Sequence, residues 1–174
     1  KPVDVINTLF ANDDFYSDGD SQADLLMNFL GNHDMGRTGH FIQKHLGDRS
    51  PEEQLRRSVL SHVFMYLSRG IPVVYYGDEQ GFTGDGGDVD AREDMFASQV
   101  AVYNDNILLG TGQTTADNNF DPKHPLYQTI KAMADFRAAH PALRYGVTHN
   151  RNTGNDKVVA FSRIDLQEQR EYLV

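Results

Sequence analysis

Apolar residues gather along this 174-residue chain in runs that switch between strand-like and helix-like spacing. Residues 11–24 (ANDDFYSDGDSQAD) are acidic and turn-rich and read as a surface loop. The run from Leu25 to Leu30 follows, nearly continuous in apolar character. Such a run fits a strand covered on both faces, as in a parallel sheet. Ser50-Pro51-Glu52-Glu53 then supplies a helix N-cap, a proline at the first helical position and a glutamate placed to close a capping box. Leu55, Val59, Val63 and Tyr66 fall near one face of this helix, Leu60 and Leu67 widen the stripe, and Gly70 ends it.

IPVVYYG at 71–77 predicts a second buried strand, and QGFTGDGGDVDAREDM at 80–95 a long loop. Loops of that length inside a domain are usually functional or disordered. Asp121-Pro122 predicts the start of another helix, with Leu126, Ile130, Met133 and Ala134 as its buried stripe and Pro141 as its terminator. From Val158 the alternation VVAFSRI, the polar LQEQR and then EYLV predict an antiparallel hairpin. The order strand, helix, strand, helix, antiparallel strands implies an α/β fold with a parallel sheet. A (β/α)8 barrel takes about 250 residues, so two strand–helix units are roughly a quarter of one. Lys1 and the closing REYLV both read as positions inside a longer chain.

Composition narrows the partners. Twenty-five acidic against sixteen basic side chains give a net charge of −9, which argues against nucleic acid, whose phosphates demand a Lys/Arg surplus. A neutral, hydroxyl-rich ligand or a cation suits the balance better. Without cysteine there is no disulfide or thiolate metal site. No apolar run approaches the roughly 20 residues of a membrane span, so no membrane partner is expected. KPVDVINTLF lacks the pattern of an export signal.

Chemistry in parallel α/β folds sits at the carboxyl ends of strands. Asn32, His33 and Asp34 follow the first predicted strand, Asp78 and Glu79 the second. Neighbouring strands lie about 4.8 Å apart, so both groups can face one cavity. Paired carboxylates there suggest glycoside hydrolysis, with Asp34 and Glu79 as the pair the residues alone nominate. Taken singly, Asn-His-Asp is also ordinary turn chemistry and Asp78-Glu79 a solvated loop; their joint placement at successive strand ends favours a site.

FLGNHDMGR followed by GIPVVYYGDEQGFTGDGGDVDARE closely resembles the last third of the catalytic barrel in the α-amylase family of glycoside hydrolases. The first stretch is similar to the family's Phe-x-x-Asn-His-Asp motif at the seventh barrel strand. The second is similar to its Gly-Ile-Pro-x-x-Tyr-Tyr-Gly-Asp/Thr-Glu motif at the eighth. HPLYQTIKAMADFRAAHPALRYG resembles the final barrel helix and the exit into a C-terminal β-sandwich. The resemblance implies the last two strand–helix units of a (β/α)8 barrel over 1–145 and the start of an antiparallel β-domain over 146–174.

It also implies roles. Family members retain anomeric configuration with an Asp nucleophile after the fourth strand, a Glu general acid after the fifth and a second Asp after the seventh. Asp34 matches that last residue, which grips ring hydroxyls and stabilises the transition state. His33 matches a hydroxyl-binding imidazole, and Asn32 is expected to orient the two. Asp88 and Arg92 match a loop pair contacting sugars further from the cleavage point; an ordinary surface ion pair gives the same spacing. Arg37 reads either as a residue at the same mouth or as a structural salt bridge. Glu79 matches a position outside the catalytic trio, which replaces the Asp34–Glu79 pairing and leaves Glu79 a supporting role.

Segments matching the nucleophile and general acid are absent, and VDARED at 89–94 belongs by position to the loop. The expectation is therefore a fragment, inactive alone, of a retaining hydrolase acting on starch- or maltooligosaccharide-like α-glucans. The rival expectation is a non-catalytic relative that binds sugars or assembles with partners; the intact Asn32-His33-Asp34 argues against it. No metal is assigned to these residues. Calcium is expected, if anywhere, in the parent protein, although Asp13-Asp14, Asp18-Asp20 and the acidic residues from 85 to 94 offer oxygen ligands. Unpaired strand edges predict self-association of the fragment. Family habit favours an extracellular or periplasmic parent over a cytoplasmic one.

Overall fold

The computed structural model describes Val3, the helix Val5–Asn12 and residues 14–174, without the Asp14 side chain. Its elements are α1 (Val5–Asn12), β1 (Met27–Phe29), α2 (Thr38–Leu46), α3 (Pro51–Leu67), β2 (Ile71–Val73), α4 (Pro125–Ala139), α5 (Pro141–Tyr145), β3 (Val147–Arg151), β4 (Ala160–Asp165) and β5 (Arg170–Leu173). They form two units: Lys1–Asn28 with Tyr66–Pro72 and Asp135–Val174, and Phe29–Met65 with Val73–Ala134.

In the first unit, β3, β4 and β5 make an antiparallel sheet in that order, with His149 opposite Ser162 and Ser162 opposite Leu173. The alternation after Val158 predicts the β4–β5 hairpin. It does not predict β3, whose VTHNR carries one apolar residue in five. Phe161 is fully buried, and Phe10 of α1 meets its ring edge-on at 6.2 Å. A buried arginine fixes the end of α3. Arg137 donates to the carbonyls of Tyr66 (2.7 Å), Ser68 (2.9 Å) and Gly70 (2.5 Å), supplying donors that a helix C-terminus lacks. Replacing Arg137 by methionine strands these acceptors and should lower stability by about 2 kcal/mol in urea titrations. A loss indistinguishable from zero would mean water replaces the guanidinium fully.

β1 and β2 pair into a two-stranded sheet, seeded by the Ile71 amide donating to the Leu26 carbonyl at 2.9 Å. Both strands are three residues long and shorter than predicted, and the expected burial on both faces is not found. Met27 is 67% exposed, Phe29 44%, Ile71 49% and Val73 38%. Among the described residues this sheet has no third strand, so no layer covers the faces that the apolar runs anticipate.

The second unit holds α2, most of α3 and α4, and the long loop. Ser50 caps α3 as expected, its hydroxyl accepting from the Glu53 amide at 3.3 Å. Of the predicted stripe Tyr66 is buried, while Leu60 is exposed; Ser58, His62 and Met65, which the stripe does not include, are buried. His62 is tolerated inside because its Nδ1 bonds the Ser58 carbonyl at 2.8 Å, and burial pushes its pKa down toward the neutral ring.

α4 begins at Pro125, three residues after the predicted start. The Asp121 carboxylate instead closes a turn on the Lys123 amide at 2.8 Å, and buried His124 accepts from the Leu126 amide at 3.1 Å as the cap. Leu126 is fully buried and Ala134 exposed, so the stripe is shorter than predicted. Pro141 does not simply end a helix: α4 stops at Ala139 and Pro141 opens α5.

Candidate functional site

The second unit gathers the site residues around one tight turn. After β1 the chain reverses over 32–36, where the Asn32 and Gly36 backbones exchange two hydrogen bonds at 3.1 Å. Gly36 sits at φ +99°, a conformation in which a side chain would be strained. The Asn32 carboxamide oxygen accepts from the amides of Asp34 (2.9 Å) and Met35 (2.7 Å). Asn32 thereby spends its side chain on shaping the turn. His33 and Asp34 project outward, 55% and 69% exposed, with His33 Nε2 3.2 Å from Asp34 Oδ1. Imidazole and carboxylate thus stand side by side in solvent, the disposition needed to hold neighbouring hydroxyls of a polar ligand.

The Gly/Asp-rich loop lies against this turn through backbone alone. The Asp88 amide donates to the Asp34 carbonyl at 3.3 Å. A Cβ placed on Gly87 would stand 2.3 Å from the Asp34 carbonyl oxygen, and one on Gly36 2.6 Å from the Gly86 oxygen, so neither position admits a side chain. Asp88, at φ +53°, opens a short 3-10 segment, Asp88–Ala91, and forms an exposed ion pair at 2.5 Å with Arg92 just beyond its end. Tyr103 anchors that segment by donating its hydroxyl hydrogen to the Val89 carbonyl at 2.8 Å.

Arg37 is fully buried, which places it with the structural salt bridge of its two readings. Its Nη1 lies 3.3 Å from Asp78 Oδ1 and 2.7 Å from the Tyr76 carbonyl oxygen, and its Nε lies 2.7 Å from Glu93 Oε2. The guanidinium carbon sits 4.5 Å from the Tyr75 ring centre, 5.1 Å from Tyr76 and 5.0 Å from Phe82, so aromatic faces enclose the charge. One side chain, three residues after Asp34, therefore ties the turn to the segment beyond β2 and to the far end of the loop.

Asp78 and Glu93 are each pushed up to about 7 by burial, which outweighs the pull of Arg37 on both. Two carboxyls share one cation, and holding a proton between them lowers the charge that must be buried. Glu79 is only part-buried and turns back to accept from the Gly77 amide at 2.8 Å. Glu93 is the residue that sequence reasoning passes over. The signal for it is Arg37 itself, since a buried arginine needs acceptors, carbonyl or carboxylate, and the loop supplies a carboxylate after Ala91.

Among the described residues no three of His, Asp and Glu converge closely enough to hold a metal ion. Asp13 and the Asp14 side chain lie outside the described residues. The Asp18 carboxylate is taken up by the amides of Asp20 and Ser21, each at 3.0 Å. No helix among the described residues is long and apolar enough to cross a membrane.

A family model for the alpha-amylase catalytic domain matches residues 13–146. The chain is 46% identical over 167 residues to an alpha-amylase of Streptomyces lividans, covering 95% of this chain and 18% of that protein. It is 33% identical over 143 residues to a cyclomaltodextrin glucanotransferase of Paenibacillus macerans, covering 80% of this chain and 15% of that one. It thus spans less than a fifth of these curated relatives. Among solved structures, an alpha-amylase of Geobacillus thermoleovorans complexed with acarbose superposes with a TM-score of 0.62 at 22% identity, covering 92% of this chain and 28% of that one. A MutB variant in complex with glucose does so with a TM-score of 0.66 at 20% identity, covering 99% and 38%. At these identities the two structures speak for the fold.

Proposed function

The chain belongs to the alpha-amylase family of glycoside hydrolases, and from that premise we propose that it is the C-terminal part of the catalytic domain of a retaining α-glucan hydrolase. Its two strand–helix units are the last of a (β/α)8 barrel, and β3–β5 begin the domain that follows. The substrate is starch or a maltooligosaccharide, in keeping with the names of the relatives and with the sugars bound in the related structures.

One observation supports the reading most: an exposed His33–Asp34 pair at a turn against which the loop of Asp88 and Arg92 is docked. In the proposed mechanism the nucleophile and general acid come from upstream segments, so this chain alone does not turn over substrate. Asp34 accepts hydrogen bonds from two hydroxyls of the sugar at the cleavage point. As the anomeric carbon becomes oxocarbenium-like those hydroxyls grow more acidic, and an ionised acceptor binds them more tightly in the transition state than before it. His33 donates to a hydroxyl of the same ring. Asn32 holds the turn that aims both, while Asp88 and Arg92 reach sugars further along the chain.

The test uses the full-length protein. It should hydrolyse maltooligosaccharides with release of the α-anomer, read by NMR within the first turnovers. Asp34→Asn should lower kcat by about 10²–10³-fold, the scale of losing one preorganised electrostatic contact. Because Asp34 is exposed, the melting temperature should hold. A variant as fast as its parent would remove Asp34 from the mechanism. A parent that binds maltooligosaccharides without cleaving them would make the protein a sugar-binding relative.

A further inference from the structure

Resting on the reading of Asp88 and Arg92 just given, we propose that Arg37 and Glu93 are positioning residues whose buried ion pair fixes the reach of the 84–93 loop and so the preference for longer sugar chains. The loop has two footings. At its tip, Gly86, Gly87 and Asp88 lie on the backbone of the 32–36 turn. At its base, Glu93 is fully buried against Arg37 at 2.7 Å, and Gly84 lies against the same carboxylate, a Cβ built on it standing 3.3 Å from Oε2. Glu93 therefore closes the loop's two ends on each other and on the residue that leaves the Asp34 turn. His40 of α2 adds a bond to the Gly84 carbonyl at 3.2 Å.

Among the described residues, Asp88 and Arg92 form their ion pair with each other. Their height above the turn is set by the backbone between these footings. Releasing Glu93 frees the base while leaving the Asn32–Asp34 turn with its own bonds. The loss should fall on sugars remote from the cleavage point and spare the reacting ring.

The measurement is kcat and KM of the full-length enzyme on a long maltooligosaccharide and on a short aryl maltoside. Glu93→Ala should raise KM for the long substrate by about 10-fold and leave both constants for the short one within about 2-fold, the pattern of lost uniform binding at a remote site. Glu93→Gln should restore the long-chain KM, because it keeps the shape of the side chain and an oxygen beside Arg37 Nε. Equal losses on both substrates, or a glutamine variant as impaired as the alanine one, would overturn the proposal.

Where Glu93→Ala fails to fold, Gly87→Ala lifts the tip without touching the buried pair and should give the same long-chain defect; an unchanged long-chain KM there counts against the proposal. Asp88→Ala and Arg92→Ala separate the underlying reading. If neither raises the long-chain KM, the loop does not contact remote sugars and this proposal falls with that reading. If both do and Glu93→Ala does not, only the positioning role falls.

Discussion

Arg37→Met is expected to destabilise the second unit by about 3–5 kcal/mol, because removing one partner of a buried ionic group leaves the others uncompensated. Asp78 is 5% exposed and Glu93 fully buried, so neither can turn to water without opening the loop. The Tyr76 carbonyl loses its donor as well. Losses of that size are comparable with the whole stability of an ordinary domain. The defect should be worse at pH 8 than at pH 5.5, since the two carboxyls must then be protonated to stay buried. Arg37→Lys should recover only part of it: an ammonium is one point of charge, unable to span both carboxylates and lie flat among three rings. Urea unfolding of the full-length variants at both pH values reads this directly. A penalty below about 1 kcal/mol at pH 8 would show that solvent reaches the cluster.

The pH dependence of the parent follows from the same three side chains. Asp78 and Glu93 have pKa values of about 7 in the fold, against ordinary values of 3.8 and 4.5. Raised carboxyl pKa values mean that the folded chain holds protons the unfolded chain has released. The stabilisation is complete below the unfolded values and is lost as pH rises through about 7. Counting one retained proton for the pair, the fall between pH 5 and 7 is about 3 kcal/mol, at roughly 1.4 kcal/mol per unit.

Glu79 and Glu93 press on Asp78, and Asp85 on Glu93, in the same direction, while Arg37 opposes both. Glu171 and Glu52 are shifted down and act oppositely, losing stability as pH falls. The contribution of the cluster is therefore read as the difference between parent and Glu93→Gln, in which Asp78 alone faces Arg37. The parent should melt progressively lower than the variant as pH is raised from 5 to 8; parallel curves would mean that neither carboxyl takes up a proton on folding.

How far the sequence speaks for the structure depends on what each residue answers to. Capping and turn chemistry is local, and Ser50-Pro51 duly opens α3. Asn32 shows the same legibility: Asn before a reversal predicts side-chain bonds to the following amides, and they are there. Burial is not local. Leu60 sits outside and His62 inside because the face of α3 that packs is decided by what lies against it. The strands at 27–29 and 71–73 keep the places their apolar runs give them, yet their exposure depends on neighbours the runs do not describe. The cluster around Arg37 is the extreme case. Its members stand at 37, 78 and 93, far apart along the chain, and each has an innocuous local reading as a turn or loop charge. What joins them is the need of this buried guanidinium for acceptors, which here are two carboxylates and a carbonyl.

The contact between loop and turn is made of main chain, with Gly36 and Gly87 placed where side chains would collide with the Gly86 and Asp34 carbonyls. Such a joint reads no information from the exposed or half-exposed side chains at 88, 89, 90 and 92, whereas Ala91 between them is fully buried. A library randomised at those four positions, with the glycines, Ala91 and the two ends held constant, should therefore remain foldable while its members diverge in the sugars they prefer. Selectivity could drift there in evolution without first passing through an unstable ancestor.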